Sequence, residues 1–257
     1  MGRDDRSRPR WIDLGAALGL LTRLPMQGDG LQAAQRGAAS AWAWPLAGAL
    51  VGALAALAGG AALAIGLAPG FAAALMLATQ AMVTGAMHED GLADSADGLW
   101  GGWDRSRRLE IMKDSHIGSY GVLALLIVLL ARWSALVALA EAGAWCPVMI
   151  AAGALSRVPM AVLMAALPNA RGSGLSQSVG RPPVATTILA VAIGLGLGAA
   201  AVGILVLPMA LIAALPCIAL ALVARTKIGG QTGDILGASQ QLAETAVLAL
   251  AAARAGA

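Results

Sequence analysis

A chain of 257 residues that is 59% hydrophobic and only 12% charged, with 33 glycines, is not a water-soluble globular domain, in which about a quarter of the residues carry charge. Its formal charge of +3 is small and gathered in particular loops, so it gives no support to nucleic-acid binding. Two cysteines and two histidines, with no Cys-x-x-Cys spacing, exclude a disulfide framework and a zinc site.

The first ten residues, MGRDDRSRPR, are too charged for a signal peptide. Residues 11–24 contain a short apolar stretch, Leu14–Leu21, interrupted by Thr22-Arg23. It is too short to span a bilayer and is predicted to form an interfacial or re-entrant helix. Apolar runs long enough to cross a hydrocarbon core of about 30 Å follow at 44–66, 69–87, 119–140 and 145–167. The stretch 184–224 is read as two spans joined by a tight turn. A seventh candidate, 239–253, starts among Gln240, Gln241 and Glu244. The fold class is therefore all-α: a polytopic membrane helix bundle of six or seven spans in one domain, 1–257. The segment 1–43 is assigned to the cytoplasm or the interface, and 88–118 and 225–238 are read as active-site loops.

Basic residues set the orientation. Arg3, Arg6, Arg8, Arg10, Arg23 and Arg36 precede the first span, Arg105, Arg107, Arg108 and Lys113 follow the second, Arg171 and Arg181 follow the fourth, and Arg225 and Lys227 follow the sixth. The alternate loops carry no Lys or Arg, so the basic loops face the cytoplasm by the positive-inside rule. The expected location is a bacterial-type cytoplasmic (inner) membrane. Trp42, Trp44, Trp100, Trp103 and Trp145 stand near span ends, as interfacial anchors do. Cys146 and Cys217 are read as packing residues, and the GLGLG run at 194–198 as a close helix contact.

One stretch departs from this pattern. Of 14 acidic residues, Glu89, Asp90, Asp94, Asp97, Asp104, Glu110 and Asp114 all fall within 88–118, with both histidines, His88 and His116. Asp90, Asp94 and Asp97, spaced i, i+4, i+7, occupy roughly 60° of one helical face, and three carboxylates so placed repel one another unless a cation sits among them. All-oxygen ligation suits Mg²⁺, which commonly takes one or two carboxylates together with substrate phosphate oxygens. The alternative is that these acids solvate the end of a span. The interleaved Gly91, Gly98, Gly101 and Gly102, which let backbone and ligand approach closely, favour the metal-phosphate reading. Glu89 is one step off the stripe and is excluded from it.

Lys113 and Ser115 in RRLEIMKDSHIGSYG are candidates to bind phosphate, or else belong to a surface helix. A second polar island, GGQTGDILGASQQLAE at 229–244, sets Gln231, Thr232, Asp234 and Glu244 among glycines, without the Gly-Lys-Ser/Thr of a Walker loop. Asp234 and Glu244 either complete the metal shell or are ordinary helix-start and loop acids. Arg132 and Arg157 fall inside spans, where a central arginine costs about 2.5–3.5 kcal/mol on insertion scales. Arg157 is the better phosphate candidate, while Arg132 is read as snorkelling or pairing with a neighbouring helix.

These residues resemble the cobalamin synthase (adenosylcobinamide-GDP ribazoletransferase) family. The pattern His-x-Asp-Gly-Leu-Ala-Asp-x-x-Asp-Gly is met by His88, Asp90, Gly91, Leu92, Ala93, Asp94, Asp97 and Gly98. Further matches are Thr-Arg-Leu-Pro at 22–25, Pro-Leu-x-Gly at 45–48, Leu-Glu-Ile-Met-Lys-Asp-Ser at 109–115, Ser156-Arg157, and Gly-Gly-Gln-Thr-Gly-Asp-x-Leu-Gly-Ala at 229–238 with Glu244. The resemblance implies that adenosylcobinamide-GDP and α-ribazole, or its 5′-phosphate, are joined with loss of GMP. It implies Mg²⁺ held by Asp90, Asp94, Asp97 and Glu244, catalytic roles for His88, Asp97 and Lys113, and substrate contacts from Arg23, Asp114, Ser115, Arg157, Gln231, Thr232 and Asp234. The implied partners are these substrates and the lipid bilayer, with no nucleic acid and with an oligomer possible. Two other readings compete. A CDP-alcohol phosphotransferase-like enzyme lacks its required Ala-Arg here, where Gly101-Gly102 stand, and lacks the later paired aspartates. A cation or corrinoid transporter calls for ionisable groups near the midplane and often an internal repeat.

Overall fold

The structure, a computed structural model, describes residues 8–25 and 36–256. Arg3 and Arg6, counted above toward the basic face, lie outside the described residues. After a short helix α1 (Ile12–Leu21), a 3₁₀ segment (Gly37–Ala43) leads into α2 (Trp44–Ala64). Then come α3 (Pro69–Thr84), α4 (Met87–Gly101), the short α5 (Arg105–Ile111), α6 (Ser119–Glu141) and α7 (Trp145–Ala166). The one-turn α8 (Leu175–Val179), α9 (Val184–Val202), α10 (Val206–Ile228) and α11 (Gly233–Ala255) complete the chain. No named strand occurs among the described residues, so the all-α expectation holds.

Among the described residues, five apolar stretches are long enough to cross a membrane. The longest, Val184–Ile228, has 45 residues and would be about 67 Å long as one straight helix, twice what a bilayer needs. It breaks at Gly203, whose φ of 61° suits glycine. Gly198 lies against Val206, two positions a straight helix would hold about 12 Å apart. The stretch is thus a hairpin of two spans, α9 and α10, as the sequence reading holds. With α3 and α4 as a bent element, the bundle matches the expected six or seven spans.

The outer faces are apolar in helical register. Leu207, Leu211, Leu215, Ile218 and Leu222 line one exposed face of α10, and Leu123, Leu126, Ile127 and Leu130 one face of α6. A water-facing helix would not keep such ladders; a lipid-facing one does. Inside, contact is made through small residues. A Cβ on Gly48 would run into the Gly153 carbonyl, and one on Gly52 into that of Met149, so α2 and α7 cross at backbone distance. Gly194 and Gly198 of the GLGLG run are buried against Val158 and Val206, while Gly196 faces open space.

Four expectations are corrected. The run 69–87 is not one straight span: α3 ends at Gly85 (φ 66°) and Ala86 (φ 55°), and α4 departs at 89°. Residues 88–101, assigned to a loop, are helical. Trp44 is no interfacial anchor, being 2% exposed in the core, whereas Trp103 is 94% exposed. Cys217 packs in the core, but Cys146 is exposed. The N-terminal helix α1 is short and apolar as expected, yet one side of it is fastened to the bundle. Asp13 is fully buried and takes a bidentate grip from Arg36 (2.5 and 2.9 Å) and the Trp42 indole N–H (2.7 Å). Burial alone would push its carboxyl up, but the hydrogen bonds from Arg36, Trp42 and the Arg10 amide hold it below the usual range.

Candidate active site

The acidic helix is held in place from both ends. At its start, the Gly85–Ala86 corner seats the Arg23 side chain: a Cβ on Gly85 would come within 2.5 Å of Arg23 Nε, and the Arg23 amide donates to Val83 O at 2.7 Å. At its end, Lys227 Nζ donates to Leu99 O at 2.7 Å and stands 4.6 Å over the Trp100 ring. Arg105 donates to Ile228 O (2.7 Å) and Ala170 O (2.8 Å). Basic side chains thus satisfy the last carbonyls of α4 and α10, where the helix dipoles favour cations.

Midway, α4 crosses the first turn of α11. A Cβ on Gly91 would meet Asp234 O at 2.9 Å, and one on Gly237 would meet Gly91 Cα at 3.3 Å, so a side chain at Gly91 forces a backbone shift and one at Gly237 is tightly crowded. The loop before α11 is tied to the one after α7 by a single parallel bridge, Asn169 to Gln231. The Gln231 amide donates to Pro168 O (2.9 Å) and the Ala170 amide to Gln231 O (2.8 Å). Thr232 caps α11 by accepting from the Ile235 amide at 3.3 Å. The crossing brings Asp94 within electrostatic reach of Asp90, Asp97, Asp234 and Arg171, and Arg171 Nη2 pairs with Asp234 Oδ2 at 2.8 Å. Asp90 is exposed and Asp94 half-buried. Arg171, read from the sequence only as a basic loop residue, is placed by the fold beside this carboxylate group; its one signal is an arginine in the glycine-rich NARGSG loop.

The four residues implied as metal ligands divide. Asp97 accepts the amides of Gly118 (2.7 Å) and Gly121 (2.9 Å) with its two oxygens, capping the first turn of α6 from another helix. Glu244 is 1% exposed and is held between Arg132 and Arg157, each at 3.4 Å, with further hydrogen bonds from Gln80 (2.5 Å) and Gln240. Both are engaged in holding helices together. No group of three or more His, Cys, Asp or Glu side chains suited to hold a metal ion occurs among the described residues. Asp90 and Asp94 fit the more modest demand of Mg²⁺, one or two carboxylates completed by substrate phosphate oxygens and water.

Other expected site residues are scattered. His88 lies about 200° around the helix from Asp90, so it does not share the aspartate face; it is 1% exposed and lines a cavity beside Trp44 and Gly237. Arg157, expected on substrate phosphate, is 2% exposed and its charge meets Glu244. Lys113, Asp114 and Ser115 sit on an exposed loop, where Asp114 Oδ1 pairs with His116 Nδ1 at 2.7 Å. Gln231 and Thr232 are buried beside Asp234, and Gln231 Oε1 has no partner. Glu89, excluded from the stripe, accepts from Gln241 at 3.0 Å. Arg132 pairs between helices: it donates to Gln241 Oε1 (2.5 Å) and Gln80 Oε1 (2.6 Å).

The sequence model of the family described as cobalamin-5-phosphate synthase matches residues 13–252. The chain belongs to that family. Among its relatives are proteins named adenosylcobinamide-GDP ribazoletransferase. That of Bradyrhizobium diazoefficiens is 46% identical over 252 residues, covering 94% of this chain and 93% of the relative. That of Mesorhizobium japonicum is 42% identical over 95% and 94%, and that of Azorhizobium caulinodans 41% identical over 92% and 93%. No solved structure matches the chain. As a cobalamin-5-phosphate synthase family member it is a transferase, and the phosphotransferase-like and transporter readings fall away. The match runs through α4 and the start of α11 alike, so both sides of the glycine crossing belong to the family's common chain.

Proposed function

We propose that this chain joins adenosylcobinamide-GDP to α-ribazole or its 5′-phosphate, giving adenosylcobalamin or its 5′-phosphate and GMP, at the cytoplasmic face of the inner membrane. The observation that carries the reading is the crossing of Gly91 on Gly237, which sets two carboxylates beside the first turn of α11. In the reaction a ribose hydroxyl oxygen bonds to the cobinamide-side phosphorus, the P–O bond to GMP breaks, and the hydroxyl proton is lost.

Phosphoryl transfer of this kind rests on positioning and charge stabilisation. Asp90 and Asp94 would hold Mg²⁺, which when bound supplies Lewis-acid stabilisation of the charge on the diphosphate. The first turn of α11 favours phosphate oxygens through its free amides and dipole, with Thr232 fixing the turn. Arg171 neutralises Asp234, so the second helix adds little negative charge where a diphosphate must approach. Gln231, buried with an unpaired carbonyl oxygen, is suited to accept a hydrogen bond from the nucleotide or ribose. His88 lies off the aspartate face, so the proton passes to a carboxylate of α4 or to water.

The test is GMP release by the detergent-purified protein from adenosylcobinamide-GDP and α-ribazole 5′-phosphate, with Mg²⁺ and then with EDTA. Metal-dependent release with a corrinoid product supports the proposal. No release from folded protein overturns it, and release undiminished by EDTA overturns the metal assignment.

A further inference from the structure

On the side of α4 away from the aspartates, His88, Gly233 and Gly237 form one wall of a cavity whose remaining lining is apolar apart from Ser176, and includes Leu21, Trp44, Met87, Met160, Met164 and Leu236. Ser176 Oγ accepts from Asn169 Nδ2 at 2.8 Å, and two other lining residues each carry a polar atom without a partner. Trp44 and His88 are 2% and 1% exposed, and neither Trp44 Nε1 nor His88 Nε2 has a hydrogen-bond partner. Each buried polar atom left unpaired costs about 1–3 kcal/mol, and two at one cavity point to a ligand that pairs with them. A Cβ on Gly233 would meet nothing within 4 Å, so there is open space beside the first residue of α11, next to Asp234 in the chain.

We propose that this cavity seats the azole ring of α-ribazole and that the Trp44 indole N–H donates to the ring nitrogen left free by the glycosidic bond. The proposal rests on the transferase reading above. The choice of occupant follows from the lining. An acyl chain pairs with neither nitrogen, and guanine brings more donors and acceptors than these two nitrogens and the Ser176 hydroxyl can serve. An azole base offers flat apolar faces and one lone pair, and an indole N–H is a donor only. His88 Nε2, donor or acceptor by tautomer, is then left for the ribose at the ring's edge, which passes over Gly233 toward the aspartates. The cavity is tight, about 50 Å³, so a bicyclic ring enters as the thioether chains of Met87, Met160 and Met164 turn aside, which their three rotatable bonds permit.

The experiment compares α-ribazole 5′-phosphate with its indole analogue, in which CH replaces the free ring nitrogen, in steady-state GMP release and in equilibrium dialysis. Wild type, Trp44→Phe and Met164→Trp are measured. Wild type is expected to show a KM about five- to tenfold higher for the analogue, the worth of one hydrogen bond. Trp44→Phe is expected to raise the KM for α-ribazole 5′-phosphate by the same factor and to lose the discrimination. Its kcat and its KM for adenosylcobinamide-GDP are expected to stay as in wild type. Met164→Trp, which fills the cavity, is expected to raise KM and Kd for both ribosides more than about tenfold. The proposal is overturned if Trp44→Phe discriminates as wild type does, if Met164→Trp binds the ribosides normally, or if the KM for adenosylcobinamide-GDP moves instead. Failure of the transferase reading looks different: wild type then releases no GMP, while dialysis still reads whether the riboside binds this cavity.

Discussion

Two groups of charged residues lie one helical step apart on α4 and are built on opposite plans. Glu89 belongs to a closed network in which Arg132, Arg157, Glu244, Gln80, Gln240 and Gln241 answer one another across α3, α4, α6, α7 and α11. Its two arginines and two glutamates balance, and nearly every group has a protein partner. The carboxylates of Asp90 and Asp94, one and five residues further on, make no hydrogen bond or ion pair with protein among the described residues, and Asp94 adds to a local excess of negative charge. Buried charge in a bundle is tolerated when paired. The network therefore reads as the frame that sets the angle of α4, and the aspartate face as the part left for a ligand to complete.

This contrast can be broken from either side. The largest effect is expected on turnover: Asp94→Asn should lower kcat by about a hundredfold or more, since even supporting groups of a metal site are worth 10–100-fold, while its melting temperature in detergent stays near wild type. Glu244→Ala should do the reverse in kind. Removing it leaves the two buried guanidinium groups with only Glu89 as counter-charge, at a cost of about 3–5 kcal/mol, read as a large drop in thermal stability and loss of folded yield. Gly91→Ala sharpens the link between the two regions. Its Cβ would press on Asp234 O at 2.9 Å, at a cost of about 1–3 kcal/mol, and kcat should fall more steeply than stability because the crossing itself is displaced. The smallest effect belongs to the exposed loop, where the hydrogen bond and charge of Asp114 hold His116 above its ordinary 6.5. That pairing supports the loop below pH 6.5 and is lost as pH rises through the raised value. In an NMR titration Asp114→Asn should return His116 to the ordinary range and leave GMP release unchanged.

The bundle was largely legible because lipid imposes a simple rule: apolar runs of span length, basic loops on one side, and small residues where helices touch. The break at Gly203 followed from length alone. The corner at Gly85–Ala86 did not, because Ala86 in a left-handed conformation carries no sequence signal; hence 88–101 was assigned to a loop although its aspartates already showed helical spacing. At the site, that spacing correctly put Asp90 and Asp94 together and Glu89 elsewhere. It could not tell that Asp97 turns to the amides of Gly118 and Gly121, since a cap supplied from 21 residues away depends on tertiary contact. Arg157 stands out in the sequence as a charge inside a span and Glu244 as an acid of the polar island 229–244, but their pairing with each other lies in the packing of α7 on α11. Trp44 carries the same lesson: a tryptophan at a span end faces lipid or core according to which side of its helix the neighbours cover.

The central claim is that Asp90 and Asp94 face the reaction while the Glu89–Glu244 network holds the frame. The most direct test is GMP release as a function of Mg²⁺ concentration for wild type and Asp94→Asn, with thermal unfolding of the same preparations. The account predicts a variant that melts within a few degrees of wild type, needs more Mg²⁺ and turns over about a hundredfold more slowly or worse. A folded Asp94→Asn protein with wild-type turnover and wild-type Mg²⁺ dependence would contradict it.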